Sequence, residues 1–174
     1  MNFLIWIVSL FVFTLIHEFG HIIFLRLAGG TKDWRIEIGA GTPIVKLKKI
    51  TINSAFFFGG RVENIDFHKR PSKIGLLFLN AGGGLLNIVF VVLLHFVLLP
   101  LAYESATLPE LIFRILRIAR DANIIMTLLF LLPIRIPRIG PSDGFLILTL
   151  LRSKNAEEYY KKISAYFEEN TNSD

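Results

Sequence analysis

The residues best suited to chemistry in this chain form one short cluster, H-E-F-G-H at residues 17–21. Because an α-helix has about 3.6 residues per turn, His17 and His21 would project from one face, one turn apart. Two imidazoles in that arrangement can bind one zinc ion, with Glu18 as the general base on zinc-bound water. The spacing therefore predicts the core of a hydrolytic metal site.

The cluster lies inside a stretch that is otherwise apolar. Residues 3–16 carry no charge, and the apolar character continues to Leu27, enough for the roughly 20 residues of a membrane-spanning helix. Ionisable groups within such a helix cost several kcal/mol to insert, so they are functional by default, although pairing with polar groups on other helices is the simpler alternative. No Lys or Arg precedes the stretch and no small-residue cleavage site follows it, which argues against a signal peptide.

The composition also favours a membrane protein. The chain is 53% apolar with a mean hydropathy of +0.56, against about 45–50% apolar in soluble domains. We expect an α-helical integral membrane protein with three core transmembrane helices at about residues 3–27, 74–101 and 110–134. Pro133, Pro137, Gly140 and Pro141 predict a break after the third helix, an irregular segment 135–143 and a short helix 144–152. Irregular backbone at membrane depth lines a cavity or is buried in protein, so the break indicates a functional site.

Charges orient these helices and explain the net charge of +5. Residues 26–73 hold ten Lys or Arg and four Asp or Glu, which predicts a cytoplasmic loop and an external amino terminus in the cell membrane. Because the basic residues lie between apolar spans, we expect no binding of nucleic acid. Alternation of apolar and polar residues predicts a small β-sheet within residues 32–65, with strands near 34–38, 45–48 and 50–53 and turns at Gly39, Gly41 and Pro43.

The chain ends in a predicted cytoplasmic amphipathic helix within residues 153–174, frayed from residue 168. Glu157 and Glu158 each precede a lysine by four residues, which stabilises a surface helix. An apolar stripe lies beside them at Tyr159, Ile163 and Tyr166.

A catalytic zinc takes three protein ligands and leaves one position for water. The chain has no cysteine, so the third ligand must be His, Asp or Glu. The residue types leave Asp121, Asp143, His95 and His68 open. Asp143 is favoured because it follows the predicted break and precedes Gly144, which allows close backbone approach. His95 is the second choice, and His68 lies in a basic loop where we expect it to be solvated.

A set of short motifs occurs in a fixed order along residues 10–150. The H-E-F-G-H cluster is followed by G-A-G-x-P at 39–43, G-G-R-V at 59–62, A-G-G-x-x-x-N at 81–87, and L-L-P at 131–133 before S-D-G at 142–144. In this order they resemble the site-2 proteases, a family of membrane-embedded zinc metalloproteases. The resemblance implies three core helices and one zinc per chain, held by His17, His21 and Asp143.

The resemblance also implies an activity. Glu18 would activate a zinc-bound water to hydrolyse a peptide bond in or near a transmembrane segment of a membrane-protein substrate. Such a substrate would be single-pass or resemble a signal peptide, and a regulatory membrane protein is a further possible partner beside the lipid bilayer. We also expect an exposed strand edge in residues 34–53 to hold the unwound substrate by strand addition.

The chain departs from the family at three places. It has A-G-G where the family has A-G-P, a longer stretch between Pro133 and Asp143, and Phe130 where the family has an Asn that helps to bind substrate or the oxyanion. Losing such a donor can cost a hundredfold or more in rate. Asn87 and Asn123 are candidate substrate-binding residues that could substitute for it.

Two alternatives to an active protease remain open. One is a catalytically impaired scaffold or regulator that retains the metal site, as Phe130 suggests. The other is a metal transporter, against which the small number of polar residues in the predicted spans argues.

Overall fold

A computed structural model describes residues 1–63, 65–105, 109–136 and 140–171, with side chains throughout except at 57–58, 136 and 167–171. Residues 137–139 of the predicted irregular segment 135–143, and residues 172–174 of the terminus predicted to fray from residue 168, lie outside the described residues. The elements in chain order are α1 (Asn2–Leu27), β1 (Arg35–Lys46), β2 (Ile50–Glu63), α2 (Lys73–Leu93), a π-helical turn (Leu94–Leu98), α3 (Leu99–Glu104), α4 (Glu110–Leu131), β3 (Arg135–Ile136), β4 (Gly140–Pro141), α5 (Asp143–Leu151) and α6 (Ala156–Thr171).

Among the described residues, two helices are long and apolar enough to cross a membrane. They are α1 and the continuous helix Lys73–Glu104 that α2 begins. In the most apolar 18-residue stretch of each helix, only 33% of the residues of α1 and 22% of those of Lys73–Glu104 are buried. The core helix of a soluble protein would be mostly buried. Large apolar side chains such as Phe3, Ile74 and Phe96 are strongly exposed, as expected of helices that face lipid. A membrane crossing by α4, which carries five charged residues among its first twelve, stays a prediction.

Glycines bring α1 and α2 into close contact. Gly20 of α1 faces Gly82 of α2, and a Cβ atom at Gly20 would collide with the Gly82 carbonyl. Small residues allow this backbone approach, which dispersion forces then stabilise inside a bilayer. α4 completes the bundle by packing against both helices, with Phe13, Leu94 and Met126 buried at their meeting point.

The sheet is built from two long strands that bend back on themselves. Residues 35–38 of β1 pair antiparallel with 60–63 of β2, while 36–38 also pair with 50–52 on their other side. Residues 50–52 in turn contact 45–46. The local order across the sheet is thus 45–46, 50–52, 36–38 and 60–63, which leaves 60–63 at one edge in the described part of the chain.

The glycines predicted to form turns lie inside β1 instead. Gly39 and Gly41 have φ angles of 78° and 92°, and the pairing register shifts around them. Positive φ suits glycine, and such irregularities bend a strand without ending it. The bend lets Ile36 and Ile38 bury against Ile22 of α1, so the sheet is anchored on the helix that carries the H-E-F-G-H cluster.

The last two helices pack on the first half of α2. Ser142 caps α5 by accepting a hydrogen bond from the Phe145 backbone N–H, and Lys73 Nζ donates to the Ser153 carbonyl at 2.6 Å. Tyr159 of α6 is buried, and its hydroxyl accepts from Asn80 Nδ2 at 3.0 Å. Burial raises the pKa of Tyr159 to about 12. α6 is therefore docked on the bundle by its apolar stripe.

Candidate metal centre

Three side-chain donor atoms converge between α1 and the start of α5. Asp143 Oδ2 lies 2.8 Å from His17 Nε2 and 3.3 Å from His21 Nε2. The two imidazole Nε2 atoms are 3.2 Å apart. The donors thus form a nearly equilateral triangle, and both histidines are buried, with 1% and 9% of their surfaces exposed.

This triangle fits a divalent metal ion. Ligands held about 2.0–2.1 Å from a tetrahedral zinc lie roughly 3.3 Å from one another, close to the observed separations. Asp143 Oδ2 is buried and faces the Nε2 atoms of both histidines, so the three donor atoms point at one another and a cation between them would satisfy all three. Two imidazoles and a carboxylate suit zinc and neighbouring transition metals. The group His17, His21 and Asp143 could therefore hold a metal ion.

The backbone of α2 fixes the orientation of His21. His21 Nδ1 lies 2.7 Å from the Leu79 carbonyl oxygen. Because a carbonyl only accepts, Nδ1 must carry a proton, and in the neutral ring Nε2 then points its unshared pair into the triangle. Hydrogen bonds of this kind orient metal-binding histidines and increase their basicity.

Asn87 of α2 lies beside Nδ1 of His17, as the Leu79 carbonyl lies beside Nδ1 of His21. Its amide nitrogen lies 3.5 Å from His17 Nδ1, and its Oδ1 is buried without a hydrogen bond among the described residues. A half-turn of the amide would let Oδ1 accept a proton from His17 Nδ1, again leaving Nε2 free to bind a metal. Asn87 is therefore placed to set the proton position on His17.

Gly83 provides the space for the His17 ring. A Cβ atom at Gly83 would lie 2.5 Å from both Cε1 and Nε2 of that imidazole. Such a distance is far inside van der Waals contact, so any larger residue would displace the ring. Gly83, the last residue of the A-G-G at 81–83, thus allows the His17 ring to pack directly on the α2 backbone beside the donor triangle.

Glu18 is buried next to the triangle and is covered by the sheet. Only 2% of its surface is exposed, and a Cβ atom at Gly60 of β2 would lie 2.8 Å from Glu18 Oε1. The edge segment 60–63 therefore begins against the predicted general base. The G-G-R-V motif was the sequence signal for this contact, but strand periodicity alone gave no reason to place it here.

Phe130 of α4 also lies at the site. Its ring stacks on the His17 imidazole with centroids 4.1 Å apart and planes 27° apart. On its other side it comes within 3.6 Å of the place a Cβ would take at Gly59. The side chain that stands where the resembled family has Asn thus fills the space between His17 and the sheet and offers no hydrogen-bond donor.

Asn123 is fully buried deeper in the bundle. Its Nδ2 donates to the Asn87 backbone carbonyl at 3.0 Å, and Thr127 Oγ1 donates to the Asn123 carbonyl at 2.8 Å. The bond to Asn87 ties α4 to α2 beside the candidate metal centre, and the bond from Thr127 lies within α4. Substrate binding by Asn87 or Asn123 stays a prediction.

The other residues considered as third ligands lie elsewhere. His95 Nδ1 is 3.4 Å from an Arg120 nitrogen, and the same guanidinium donates to Asp121 Oδ1 at 2.9 and 2.7 Å. His68 is in the loop before α2, where its backbone N–H donates to the Gly29 carbonyl. Among these candidates, the structure brings only Asp143 to the two histidines.

Comparisons of this chain with protein families, with curated proteins and with solved structures gave no match.

Proposed function

We propose that this chain is an intramembrane zinc metalloendopeptidase of the site-2 protease type. The observation that carries the proposal is the convergence of His17, His21 and Asp143 beside a buried Glu18, where the two histidines and Glu18 belong to a helix apolar enough to cross a membrane. Ionisable residues buried in such helices are costly unless they perform a task. A metal site with an adjacent carboxylate is the constellation used for metal-assisted hydrolysis.

Each residue of the group has a defined part in this proposal. His17 and His21 present their Nε2 atoms, and Asp143 presents Oδ2, to a single ion. A bound zinc ion would supply Lewis acidity to water and to the scissile carbonyl. Glu18 takes the proton from the attacking water and passes it to the leaving amine. Burial of Glu18 and His17 keeps bulk water away from this proton transfer.

The sheet supports a route for the substrate. A helical substrate hides its carbonyls in hydrogen bonds to the fourth residue along, so it must unwind before attack. Residues 60–63 form an edge of the sheet in the described part of the chain, and Gly60 contacts Glu18. An unwound segment pairing with this edge would lie beside the general base. The edge proposed for the substrate is therefore 60–63, while the opposite edge, 45–46, lies within the predicted range 34–53.

The proposed setting is a cell membrane, with the amino terminus outside and both residues 26–73 and the carboxyl terminus in the cytoplasm. The start of α2 and the residue after α5 lie together, because Lys73 Nζ binds the Ser153 carbonyl. Arg26, in the last turn of α1, lies at the corresponding end of that helix. A basic end of the bundle favours the cytoplasmic side. The proposed substrates are transmembrane segments, single-pass or resembling signal peptides.

The test is cleavage of membrane-embedded segments by the full chain reconstituted with zinc. A library of single-pass segments is incorporated into the same vesicles, and new termini are identified by mass spectrometry. Wild type should produce cleavage within or near the segments, and Glu18→Gln should lower the rate at least a hundredfold while metal content is retained. Glu110→Gln, a change to an exposed carboxylate at the start of α4, is the matched control and should cleave as wild type does.

Cleavage that persists unchanged in Glu18→Gln would contradict the proposed mechanism. Absence of cleavage in wild type that holds zinc would contradict the proposed activity. The metal content of each variant separates these results from a failure to load the site.

A second function, a metal-retaining scaffold without turnover, is favoured by Phe130. The ring of Phe130 lies on His17 where the resembled family has a polar side chain. If this alternative holds, wild type binds metal and does not cleave, and Phe130→Asn restores measurable cleavage. If Phe130→Asn and wild type cleave equally, the stacked ring does not limit catalysis and the alternative is dropped.

A further inference from the structure

A basic cleft runs along one side of α5, from Phe145, two residues beyond Asp143, to Arg152 just past the far end of the helix. It opens between Arg135, α5 and α6, and its volume is about 370 Å³. That volume falls in the usual range for small-molecule sites, roughly 300–1,000 Å³. Three cations from three different elements line it: Arg135, Arg152 and Lys162. The cleft is therefore large enough for a small ligand and carries positive charge on several sides.

Arg135 is positioned by aromatic rings. Its guanidinium carbon is 4.3 Å from the ring centroid of Phe145 and 5.0 Å from that of Tyr166. A guanidinium held over aromatic rings keeps its N–H groups available at its edge, where they match the two oxygens of a phosphate. Arg135 is thus oriented before any ligand arrives.

The other two cations differ in their partners. Lys162 binds Glu158 at 2.9 Å and lies 3.4 Å from the Arg152 carbonyl. Among the side chains that the structure describes, the Arg152 guanidinium has no ion pair or hydrogen bond, since only its backbone groups are contacted. The described residues that line the cleft include three cations and no acid, and Lys162 is already paired with Glu158, so Arg152 is the cation more available to an anion.

The position of the cleft indicates what could reach it. Arg152 is nine residues beyond Asp143, about 13 Å along a helix. The next residue, Ser153, contacts Lys73 at the start of α2, and Arg26 lies at the corresponding end of α1. If α1 and α2 cross a membrane, this end of the bundle lies at the level of the phospholipid headgroups.

We infer that this cleft binds the phosphate group of an anionic glycerophospholipid. The phosphate accepts hydrogen bonds from Arg135 and Arg152, while Leu148 and Ile163 on the cleft wall contact the apolar part of the ligand. A soluble glycerol phosphate carries the same recognised group and is the other source to be distinguished. The inference needs a membrane setting and does not depend on protease activity.

The test is a binding titration of the full chain in a neutral detergent. Dihexanoyl phosphatidylglycerol is compared with dihexanoyl phosphatidylcholine by the shift in unfolding temperature and by native mass spectrometry. Both lipids contain a phosphate diester, but the choline group cancels its charge. We expect the anionic lipid to bind at least tenfold more tightly. Arg152→Gln should weaken that binding about fivefold, the effect of one cation at a membrane surface, and Arg152→Lys should restore most of it.

The matched control is Arg117→Gln, which removes an arginine from the exposed surface of α4. It should leave phosphatidylglycerol binding unchanged. Should glycerol phosphate compete at concentrations similar to the lipid, the ligand is a soluble phosphate compound at the same cleft. Equal binding of the two lipids, or equal weakening by Arg117→Gln and Arg152→Gln, would overturn the inference. Zinc content should be the same in all of these variants, so failure here is distinct from failure of the metal centre.

Discussion

Two regions of the helical bundle contain the same residue types and differ in what those residues can bind. In the interior group, His17, His21 and Asp143 bring bare donor atoms within 2.8–3.3 Å of one another. In the outer group, His95 and Asp121 both contact the guanidinium of Arg120. A cation already occupies the centre of the second group.

Burial separates the two groups as well. The Asp143 side chain is 14% exposed and that of Asp121 is 42% exposed. The Asp121 carboxylate is partly exposed and paired with an arginine, whereas Asp143 is largely buried and faces the two histidines, and burying a charge is costly unless it is compensated. Convergence of donor atoms without a competing cation, rather than the mere presence of His and Asp in apolar helices, distinguishes the group that could hold a metal ion.

Among the substitutions that test this comparison, Gly83→Ala is expected to lower zinc affinity the most. The added methyl group would overlap the His17 imidazole, so the ring must move out of the triangle or α2 must separate from α1. We expect zinc affinity to fall at least a hundredfold, measured by competition with a chromogenic chelator. Gly84→Ala is the matched control, because its Cβ would be 3.4 Å from the flexible end of Leu131 and tolerable. Equal affinity in Gly83→Ala and wild type would contradict the position given to His17.

A smaller effect is expected from Asn87→Ala, which leaves all three donor atoms in place. It removes the group that orients His17, and losing such a partner typically costs 10–100-fold in metal affinity. Asp121→Asn, made in the outer group, should change the affinity less than twofold. A larger loss of zinc affinity in Asp121→Asn than in Asn87→Ala would contradict the assignment of metal binding to the interior group.

The smallest expected effect is on the pH dependence of stability, where a buried tyrosine is compared with an exposed one. Tyr159 is buried with a pKa of about 12, and Tyr103 is 81% exposed. Because the folded-state pKa of Tyr159 is raised above the ordinary value near 10, its contribution to stability is complete below pH 10 and is lost as the pH rises towards 12. Two pKa units correspond to roughly 2–3 kcal/mol. Absorbance titration of the phenolate should show a step near pH 12 that Tyr159→Phe lacks and Tyr103→Phe keeps; a step retained in Tyr159→Phe would refute the assignment.

The parts of the fold set by local pattern were predictable from the sequence. The apolar run of residues 3–27 and the alternation near residues 34–38 mark α1 and part of β1 closely, since these signals depend on neighbouring residues. Gly39 and Gly41 were misread as turns because a bend inside a strand and a turn between strands require the same backbone freedom. The double pairing of residues 36–38 arises from tertiary contacts that no local pattern contains.

Some residues of the candidate site were likewise predictable from local sequence patterns, and others were not. His17, Glu18 and His21 follow from helical spacing, whereas the choice of Asp143 rested on its position after a break and on resemblance to a family. The roles of the Leu79 carbonyl and of Gly60 could not be foreseen, because a backbone oxygen and a glycine carry no chemical signature in a sequence. Phe130 was recognised as a departure, but only the packed structure places its ring on His17.

The most direct test of the central claim is the zinc content of the purified chain in detergent. Wild type should hold about one zinc per chain, Asp143→Ala should hold essentially none, and both His95→Ala and Asp121→Ala should hold as much as wild type. Loss of zinc with either change in the outer group, or full zinc in Asp143→Ala, would contradict the assignment of the interior group. A folded wild-type chain without affinity for zinc would contradict the proposed function itself.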